Sequence, residues 1–261
     1  MARSSLTRSL PAVALAVLAA ACGGGNAPLP TEGTAPPAAI ENPVNPETAG
    51  HVTGRIVFEG TPPAPQPIRM NSDPRCQPAE GGAVRQTVMV GDAGALQNVF
   101  VYVKDGLGGL RFPVPSEPVL LDQRGCTYVP HVFGVQVGQM VEIRNSDPTL
   151  HNVHALAKAN REFNTGQPMQ GMKTNHVFTA PEVLLPIKCD VHGWMNAYAG
   201  IVTHPFYAVT LADGAFALNG LPPGTYTIEA VHEALGAQTQ TVTIGEKERR
   251  ELAFTFTQAA S

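Results

Sequence analysis

Residues 189–195, with the sequence CDVHGWM, contain three side chains that could bind a soft metal ion. Cys189 offers a thiolate, His192 an imidazole and Met195 a thioether, each three residues from the next. A thiolate, two imidazoles and a weak axial thioether make up an electron-transfer copper site, in which soft sulfur suits Cu(I) and imidazole suits Cu(II). The segment therefore predicts three ligands of a one-electron copper site and requires a second imidazole from elsewhere in the chain.

The upstream segment NSDPTLHNVH, residues 145–154, offers that imidazole at His151. It directly follows the strand-like run GQMVEIR, so we expect His151 in a loop at the end of a strand. His154 lies three residues further on, and an odd offset along a strand turns a side chain to the opposite face. The sequence therefore favours His151 as the second imidazole.

Other interpretations of the same residues stay open. Cys189 could be a buried structural thiol and Met195 a core residue. Zinc also accepts Cys and His, but Met is a poor zinc ligand. Met169 and Met172 could pack near the rim of the site or form a copper-loading pair.

Short β-type runs fill the chain from residue 51 onward. GRIVFEG, NVFVYVKDG and TYTIEAVH are rich in Val, Ile, Phe and Tyr and are bounded by turn residues. TLADGAFAL carries an Asp-Gly pair between two strand-like arms, which predicts a hairpin. We found no amphipathic helical stretch of three turns, so the sequence predicts an all-β fold of the sandwich type.

The two motifs VGQMVEIRNSDPTLHNVH and KCDVHGWM together resemble those of the cupredoxin family, in its plastocyanin and amicyanin branch. The resemblance covers roughly residues 117–203. It implies a Greek-key β-sandwich and one type 1 copper ion. The ligands implied by the matching positions are His151, Cys189, His192 and Met195.

Further roles follow from the same resemblance. Asn152 would tie the two ligand loops together by hydrogen bonds. Asp190, where the family commonly has Thr or Ser, would alter the hydrogen bonding to the sulfur. The resemblance implies an electron carrier rather than an enzyme, and the imidazole edge of His192 is expected at the surface.

A docking patch for a redox partner, such as a c-type cytochrome, is expected beside the copper ligands. Its apolar candidates are Pro148, Leu150 and Trp194. Trp194 is unusually bulky for a position between two ligands.

The C-terminal residues 204–258 resemble the carboxypeptidase regulatory-like (transthyretin-like) β-sandwich module. The residues that carry this resemblance are Asp213-Gly214, LPPG at 221–224 and Thr225-Tyr226. The module implies no catalysis. HVTGRIVFEGTPPAP resembles its opening strand, so strands from 51–112 could complete it. We therefore expect a copper domain over 51–203, with extra N-terminal strands, that is either inserted into this module or fused to its edge.

The N-terminus has the pattern of an export signal. MARSSLTRSL carries two arginines, and the apolar run PAVALAVLAAA ends at Cys22. This resembles a bacterial lipobox and implies a signal peptide over 1–21 and a lipid on Cys22; ordinary signal cleavage is the alternative. Residues 22–50 are rich in Gly, Pro and Ala and predict a flexible tether. The expected location is the bacterial cell envelope, on a periplasmic or outer-membrane face.

Cysteine usage predicts one disulfide. The chain has 4 cysteines. With Cys22 lipidated and Cys189 bound to metal, Cys76 and Cys126 remain, and an exported compartment is oxidising. Two buried thiols are the alternative.

Composition narrows the classes of function. The net charge is −4, and no basic run occurs, which argues against a nucleic-acid partner. The resemblance to cupredoxins, together with the export signal, implies a membrane-tethered electron carrier. Two alternatives remain: a copper carrier or storage protein with the same ligands, and a carbohydrate-binding or scaffolding accessory with a structural metal.

Overall fold

The computed structural model describes residues 41–76 and 82–258. The predicted signal peptide, Cys22 and the first part of the tether lie outside these residues. None of the described residues forms a helix long and apolar enough to cross a membrane.

Within the described ranges the protein is all-β, as the sequence predicts, with one short 3-10 helix at Asp92–Gly94. The strands are β1 (Gly50–Glu59), β2 (Pro67–Ile68), β3 (Ala83–Val84), β4 (Phe100–Asp105), β5 (Val119–Gln123), β6 (Tyr128–Val129), β7 (Val132–Gln136), β8 (Met140–Asn145), β9 (His151–Ala155), β10 (Phe163–Gln167), β11 (Lys173–Val177), β12 (Glu182–Lys188), β13 (Asn196–Val202), β14 (Tyr207–Val209), β15 (Ala215–Leu221), β16 (Gly224–His232), β17 (Gly236–Ile244) and β18 (Arg249–Thr257).

The first sandwich is built from β5 to β13. A five-stranded sheet has the order β10-β9-β12-β13-β7, and a four-stranded sheet has the order β11-β8-β5-β6. Strand β8 shows why they pack: Val141 and Ile143 are buried while Met140 is exposed, the alternation expected of a strand with one face on a core. We call this part the site sandwich.

The second sandwich contains β1, β4 and β14 to β18. Its sheets have the orders β15-β1-β18 and β14-β4-β16-β17. The side chains of Val52 and Ile56 in β1 are fully buried in a core that also contains Phe216 and Phe254. Burial of this much apolar surface is the dominant stabilising term of such a module.

This pairing concerns the predicted division of the chain, which grouped 51–203 in one domain and allowed strands from 51–112 to complete the C-terminal module. Strand β1 lies between β15, to which it is antiparallel, and β18, to which it is parallel. Strand β4 pairs with β14 and β16. Both early strands therefore complete the second sandwich, and the site sandwich is inserted between β4 and β14.

Two glycines allow the sandwiches to approach each other closely. A Cβ at Gly200 in β13 would overlap the ring of Phe100 in β4, and one at Gly134 in β7 would overlap Tyr207 in β14. Phe100 is fully buried in a small cluster with Val132 and Val202. Aromatic packing over these two glycines thus joins the sandwiches.

The last residues of the predicted tether, 22–50, make hydrogen bonds within the described part of the chain. Asn45 Oδ1 accepts the Glu47 N–H at 2.9 Å and forms a turn. The Lys247 N–H donates to the Thr48 carbonyl at 3.1 Å, and Val44 packs against the core of the second sandwich. These contacts come directly before the first strand.

Candidate metal centre

A hairpin presents the three candidate ligands of residues 189–195. Strands β12 and β13 are antiparallel, with Lys188 opposite Asn196, so residues 189–195 form the loop between the two strands. The Cys189 N–H donates to the Met195 carbonyl at 3.1 Å, and the Met195 N–H donates to the His192 carbonyl at 2.9 Å. These two backbone hydrogen bonds fold the loop compactly and fix the positions of the three residues.

His151 reaches the same place from β9, where it is the first residue of the strand. Strand β9 pairs with β12, so that His154 lies opposite Lys188 and the His151 end of β9 lies beside the loop. The Nδ1 atoms of His151 and His192 are 2.9 Å apart. Ligand atoms of His151, Cys189 and His192 all lie within 4.8 Å of one another, and all three residues are buried.

Met195 is 1% exposed and belongs to the same apolar core as Cys189. Its place at the end of the loop is compatible with a weak thioether ligand, and its axial role stays a prediction. Met169, one of the two residues of the suggested loading pair, is 66% exposed.

Hydrogen bonds around the Cys189 sulfur favour its thiolate form. The backbone N–H of His192 donates to Sγ at 3.4 Å. Burial raises the pKa of the Cys189 thiol, but hydrogen bonds from His151 and from backbone N–H groups outweigh burial and hold the pKa below its usual value. A thiolate is the form that binds metal.

Asn152 ties the two ligand segments together, as the resemblance implies for this position. Its Oδ1 accepts the backbone N–H of Asp190 at 2.8 Å, and its Nδ2 donates to Asp190 Oδ2 at 3.0 Å. The Lys188 ammonium and the amides of Asn164 and Asn152 hold the pKa of Asp190 well below its usual range. Asp190 is therefore an anion that fixes the loop without reaching the ligand cluster.

A carboxylate binds the distal nitrogen of His151. Asp147 Oδ2 lies 3.0 Å from His151 Nε2. Asp147 also accepts the backbone N–H groups of Gly125 and Cys126, each at 2.8 Å. Burial lowers the pKa of His151, but hydrogen bonds to Asp147 and Cys189 and the negative charges of these two groups together outweigh burial and raise the pKa. An ionised carboxylate only accepts hydrogen bonds, so His151 Nε2 carries the proton and Nδ1 is turned toward the cluster.

A second carboxylate binds the distal nitrogen of His192. Asp73 Oδ2 lies 3.3 Å from His192 Nε2 and accepts the Thr149 hydroxyl at 2.7 Å. The Thr149 hydroxyl and the backbone N–H of Arg75 hold the pKa of Asp73 well below its usual range. Burial, together with repulsion from the neighbouring His151, lowers the pKa of His192. His192 therefore also presents its Nδ1 lone pair to the cluster.

The expectation that the His192 edge reaches the surface is wrong. The residue is 2% exposed. Cys76 and Cys126 form a disulfide with their Cα atoms 5.5 Å apart, and Cys76 Sγ is 3.6 Å from His192 Nε2. The disulfide and Asp73 occupy the position where solvent would meet the ring.

The three predicted docking residues differ in exposure. Pro148 is exposed and Leu150 is 42% exposed. Trp194 is half-buried: its Nε1–H donates to the Cys126 carbonyl at 3.0 Å, and its ring centroid is 5.1 Å from that of His192. Trp194 thus packs the ligand loop onto the disulfide and offers only part of its surface to a partner.

The donor set fits a copper ion. The Nδ1 atoms of His151 and His192 face each other at 2.9 Å, a separation that a shared proton or a bound metal ion would stabilise. A buried thiol with a lowered pKa lies beside them. One thiolate with two imidazoles is a donor set that copper electron-transfer sites use.

The sequence analysis missed the two carboxylates, Asp73 and Asp147, although a signal was present. The tetrapeptide Asn-Ser-Asp-Pro occurs at 71–74 and again at 145–148. In both copies the Asp is the residue that meets a ligand histidine. A short repeat near a candidate ligand would have identified both.

Solved cupredoxin structures are similar to part of the chain, whereas no family model and no curated protein matches it. A Cu(I) form of an amicyanin variant has a TM-score of 0.29 and 22% identity, over 34% of this chain and 85% of that chain. The purple cupredoxin from Nitrosopumilus maritimus has a TM-score of 0.28 and 19% identity, over 32% of this chain and 98% of that chain. The copper-containing nitrite reductase from Thermus scotoductus SA-01 has a TM-score of 0.31 and 18% identity, over 56% of this chain and 28% of that chain. At these low scores, the function has to be inferred from the residues themselves.

Proposed function

We propose that this protein is a copper-dependent carrier of single electrons in the bacterial cell envelope and not an enzyme. The observation that supports this most strongly is the buried cluster of Cys189, His151 and His192, with ligand atoms within 4.8 Å. Cys189 would supply the thiolate, the two histidines the imidazoles and Met195 the weak axial thioether. Bound copper would supply the one-electron couple.

Burial of the candidate ligands favours electron transfer over transfer of the ion. His151, Cys189, His192 and Met195 are each at most 2% exposed. A carrier or storage protein has to pass its ion to another ligand set, and a closed cluster with two anchored imidazoles opposes this. Electrons, in contrast, can cross a thin layer of protein, and the exposed Pro148 and Leu150 beside His151 are the proposed contact for a redox partner such as a c-type cytochrome.

The visible spectrum of the copper-loaded protein tests the proposal. We expect an intense sulfur-to-copper band and a reversible one-electron reduction, and we expect Cys189→Ser to abolish the band. In Met195→Gln, copper should stay bound while the reduction potential changes, because the axial bond is weak. A Cys189→Ser protein that keeps the band would contradict the proposal. Fast loss of copper to a chelator from the wild-type protein would instead favour the carrier or storage function.

Tethering to a membrane through Cys22 is a separate part of the proposal. It is supported by the apolar run that ends in small residues before this cysteine. We expect a labelled fatty acid to be incorporated into the wild-type protein and not into Cys22→Ser. Equal labelling of the two proteins would exclude this anchor.

A further inference from the structure

The two copies of Asn-Ser-Asp-Pro perform the same task at opposite sides of the ligand cluster. In the copy at 145–148, Asp147 lies 3.0 Å from Nε2 of His151, four residues later in the chain. In the copy at 71–74, Asp73 lies 3.3 Å from Nε2 of His192, which is 119 residues later. The contact between Asp73 and His192 therefore requires interactions that hold a distant segment of the chain against the ligand loop.

Asp73 is held in place by both segments that it joins. Its Oδ1 accepts the backbone N–H of Arg75 at 2.9 Å, a turn that orients the carboxylate. Its Oδ2 accepts the hydroxyl of Thr149, two residues before His151, at 2.7 Å. The Arg75 guanidinium donates to the Pro148 carbonyl at 3.4 Å. One carboxylate thus contacts its own turn, the His151 segment and the His192 ring.

The disulfide fixes the two carboxylates relative to each other. The Cys76 N–H donates to the Asp73 carbonyl at 2.9 Å, and the Cys126 N–H donates to the Asp147 carboxylate at 2.8 Å. The bond between Cys76 and Cys126 therefore links the backbone beside Asp73 to the backbone that holds Asp147. It closes a loop of chain with a sequence separation of 50 residues.

We propose that Asp73 is a positioning residue for the copper centre, carried by a disulfide-anchored segment, residues 70–76, that covers the imidazole edge of His192. This inference rests on the proposed copper function and extends it to residues outside the ligand motifs. A carboxylate on the distal nitrogen fixes the tautomer and the orientation of a ligand histidine and raises its basicity. The added negative charge stabilises Cu(II) more than Cu(I).

Substitution of Asp73 separates its charge from its hydrogen bond. Asp73→Asn removes the charge and keeps one oxygen, which can accept from either Arg75 or His192, whereas Asp73→Ala removes both acceptor oxygens. We expect the Kd for Cu(II) to rise about 10- to 100-fold in Asp73→Ala and less in Asp73→Asn. Each tenfold loss that Cu(I) binding does not share should raise the reduction potential by about 59 mV. Asp105→Asn, at an exposed carboxylate in β4 of the second sandwich, is the matched control.

A measurement on the metal-free, full-length protein distinguishes failure of this inference from failure of the proposed function. We expect a slowly exchanging Nε2 proton of His192 in the nitrogen-15 spectrum of the wild type and of Asp105→Asn, and its loss in Asp73→Ala. If Asp73→Ala does not fold, Asp73→Asn provides the potential measurement alone. A wild type that shows this proton but no visible copper band would overturn the proposed function and retain the placement of Asp73 on His192. An unchanged potential in both Asp73 variants, or a rapidly exchanging proton in the wild type, would overturn the inference.

Discussion

Both sandwiches of this protein bury histidines, and the pair His151 and His192 of the site sandwich differs from the pair His204 and His232 of the second sandwich in what the ring nitrogens contact. In the site sandwich, His151 and His192 turn their Nδ1 atoms toward each other and bind a carboxylate through Nε2. In the second sandwich, the Nδ1 atoms of His204 and His232 each accept a backbone N–H, at 3.2 and 3.1 Å. All four residues are at most 7% exposed.

The partner of each nitrogen, rather than burial, therefore separates a candidate ligand histidine from a structural one. An Nδ1 atom that already accepts a hydrogen bond has no lone pair left for a metal, and its ring has to stay neutral. An Nε2–H that donates to a carboxylate leaves Nδ1 available and fixes the ring. The second pair therefore stabilises backbone turns, whereas the first is prepared to bind an ion.

The most direct test of this comparison removes one ring from each pair. In His192→Ala we expect Cu(II) affinity to fall by more than about 100-fold, beyond the effect typical of a residue that acts only through a ligand. In His204→Ala we expect an unchanged copper spectrum. The free energy of unfolding should instead fall by about 1–3 kcal/mol, because the backbone groups that His204 contacts are left buried without a partner.

Copper titration and chemical denaturation of the two variants measure both effects. The expected outcome is a crossed pattern, with binding lost in one protein and stability lost in the other. A loss of copper binding in His204→Ala without unfolding would show that the two sandwiches do not divide the tasks in this way.

Acid should destabilise the metal-free protein through the structural pair. Burial lowers the pKa of His232 from 6.5 to about 4, with the nearby Glu233 raising it and His131 lowering it further. Since the folded pKa lies below the unfolded one, the unfolded state binds more protons between these values. The contribution of His232 to stability should therefore be constant above about pH 6.5, fall by about 3 kcal/mol toward pH 4 and level off below.

Denaturant melts between pH 7 and pH 4 measure this loss, and His232→Asn provides the control. Asn keeps an oxygen that can accept the Ala234 N–H but does not titrate in this range. We expect a flatter pH profile in this variant. Identical profiles for the two proteins would assign the acid sensitivity to other groups, such as His204, whose pKa burial also lowers.

The candidate ligands of the hairpin loop could be predicted from sequence to lie close together because their spacing is local. Cys189, His192 and Met195 lie in one hairpin loop, and the loop geometry follows from their separation alone. Asp147, four residues before His151, was visible to the same kind of reasoning. The repeat Asn-Ser-Asp-Pro also marks Asp73 as a candidate, but it does not reveal the partner of Asp73, because His192 lies 119 residues later in the chain.

The assignment of strands to sandwiches shows the same limit. The alternation of HVTGRIVFE predicts a strand, and β1 covers these residues. Alternation specifies which face of a strand is buried. It does not specify the neighbouring strand in the sheet, since any apolar surface can cover the buried face. The parallel pairing of β1 with β18, at the other end of the chain, therefore emerges only in the structure. For the same reason the sequence could not distinguish an inserted copper domain from one fused at an edge.

His154 provides a third case beside the two histidine pairs, because a carboxylate lies on each of its ring nitrogens. Its Nδ1 lies 3.0 Å from Asp190 and its Nε2 lies 2.9 Å from Glu162. The hydrogen bond to Glu162 raises the pKa of His154, with burial opposing and Asp190 adding to the rise. With neither nitrogen facing the ligand cluster and an 18% exposed side chain, it should behave as a surface ion pair.

We expect His154→Gln to leave the Kd for Cu(II) unchanged and to alter the free energy of unfolding by less than about 0.5 kcal/mol. Copper titration beside a denaturant melt measures both quantities. A tenfold weaker copper affinity would instead show that His154 supports the ligand loop through Asp190, and that a histidine need not face the cluster to serve it.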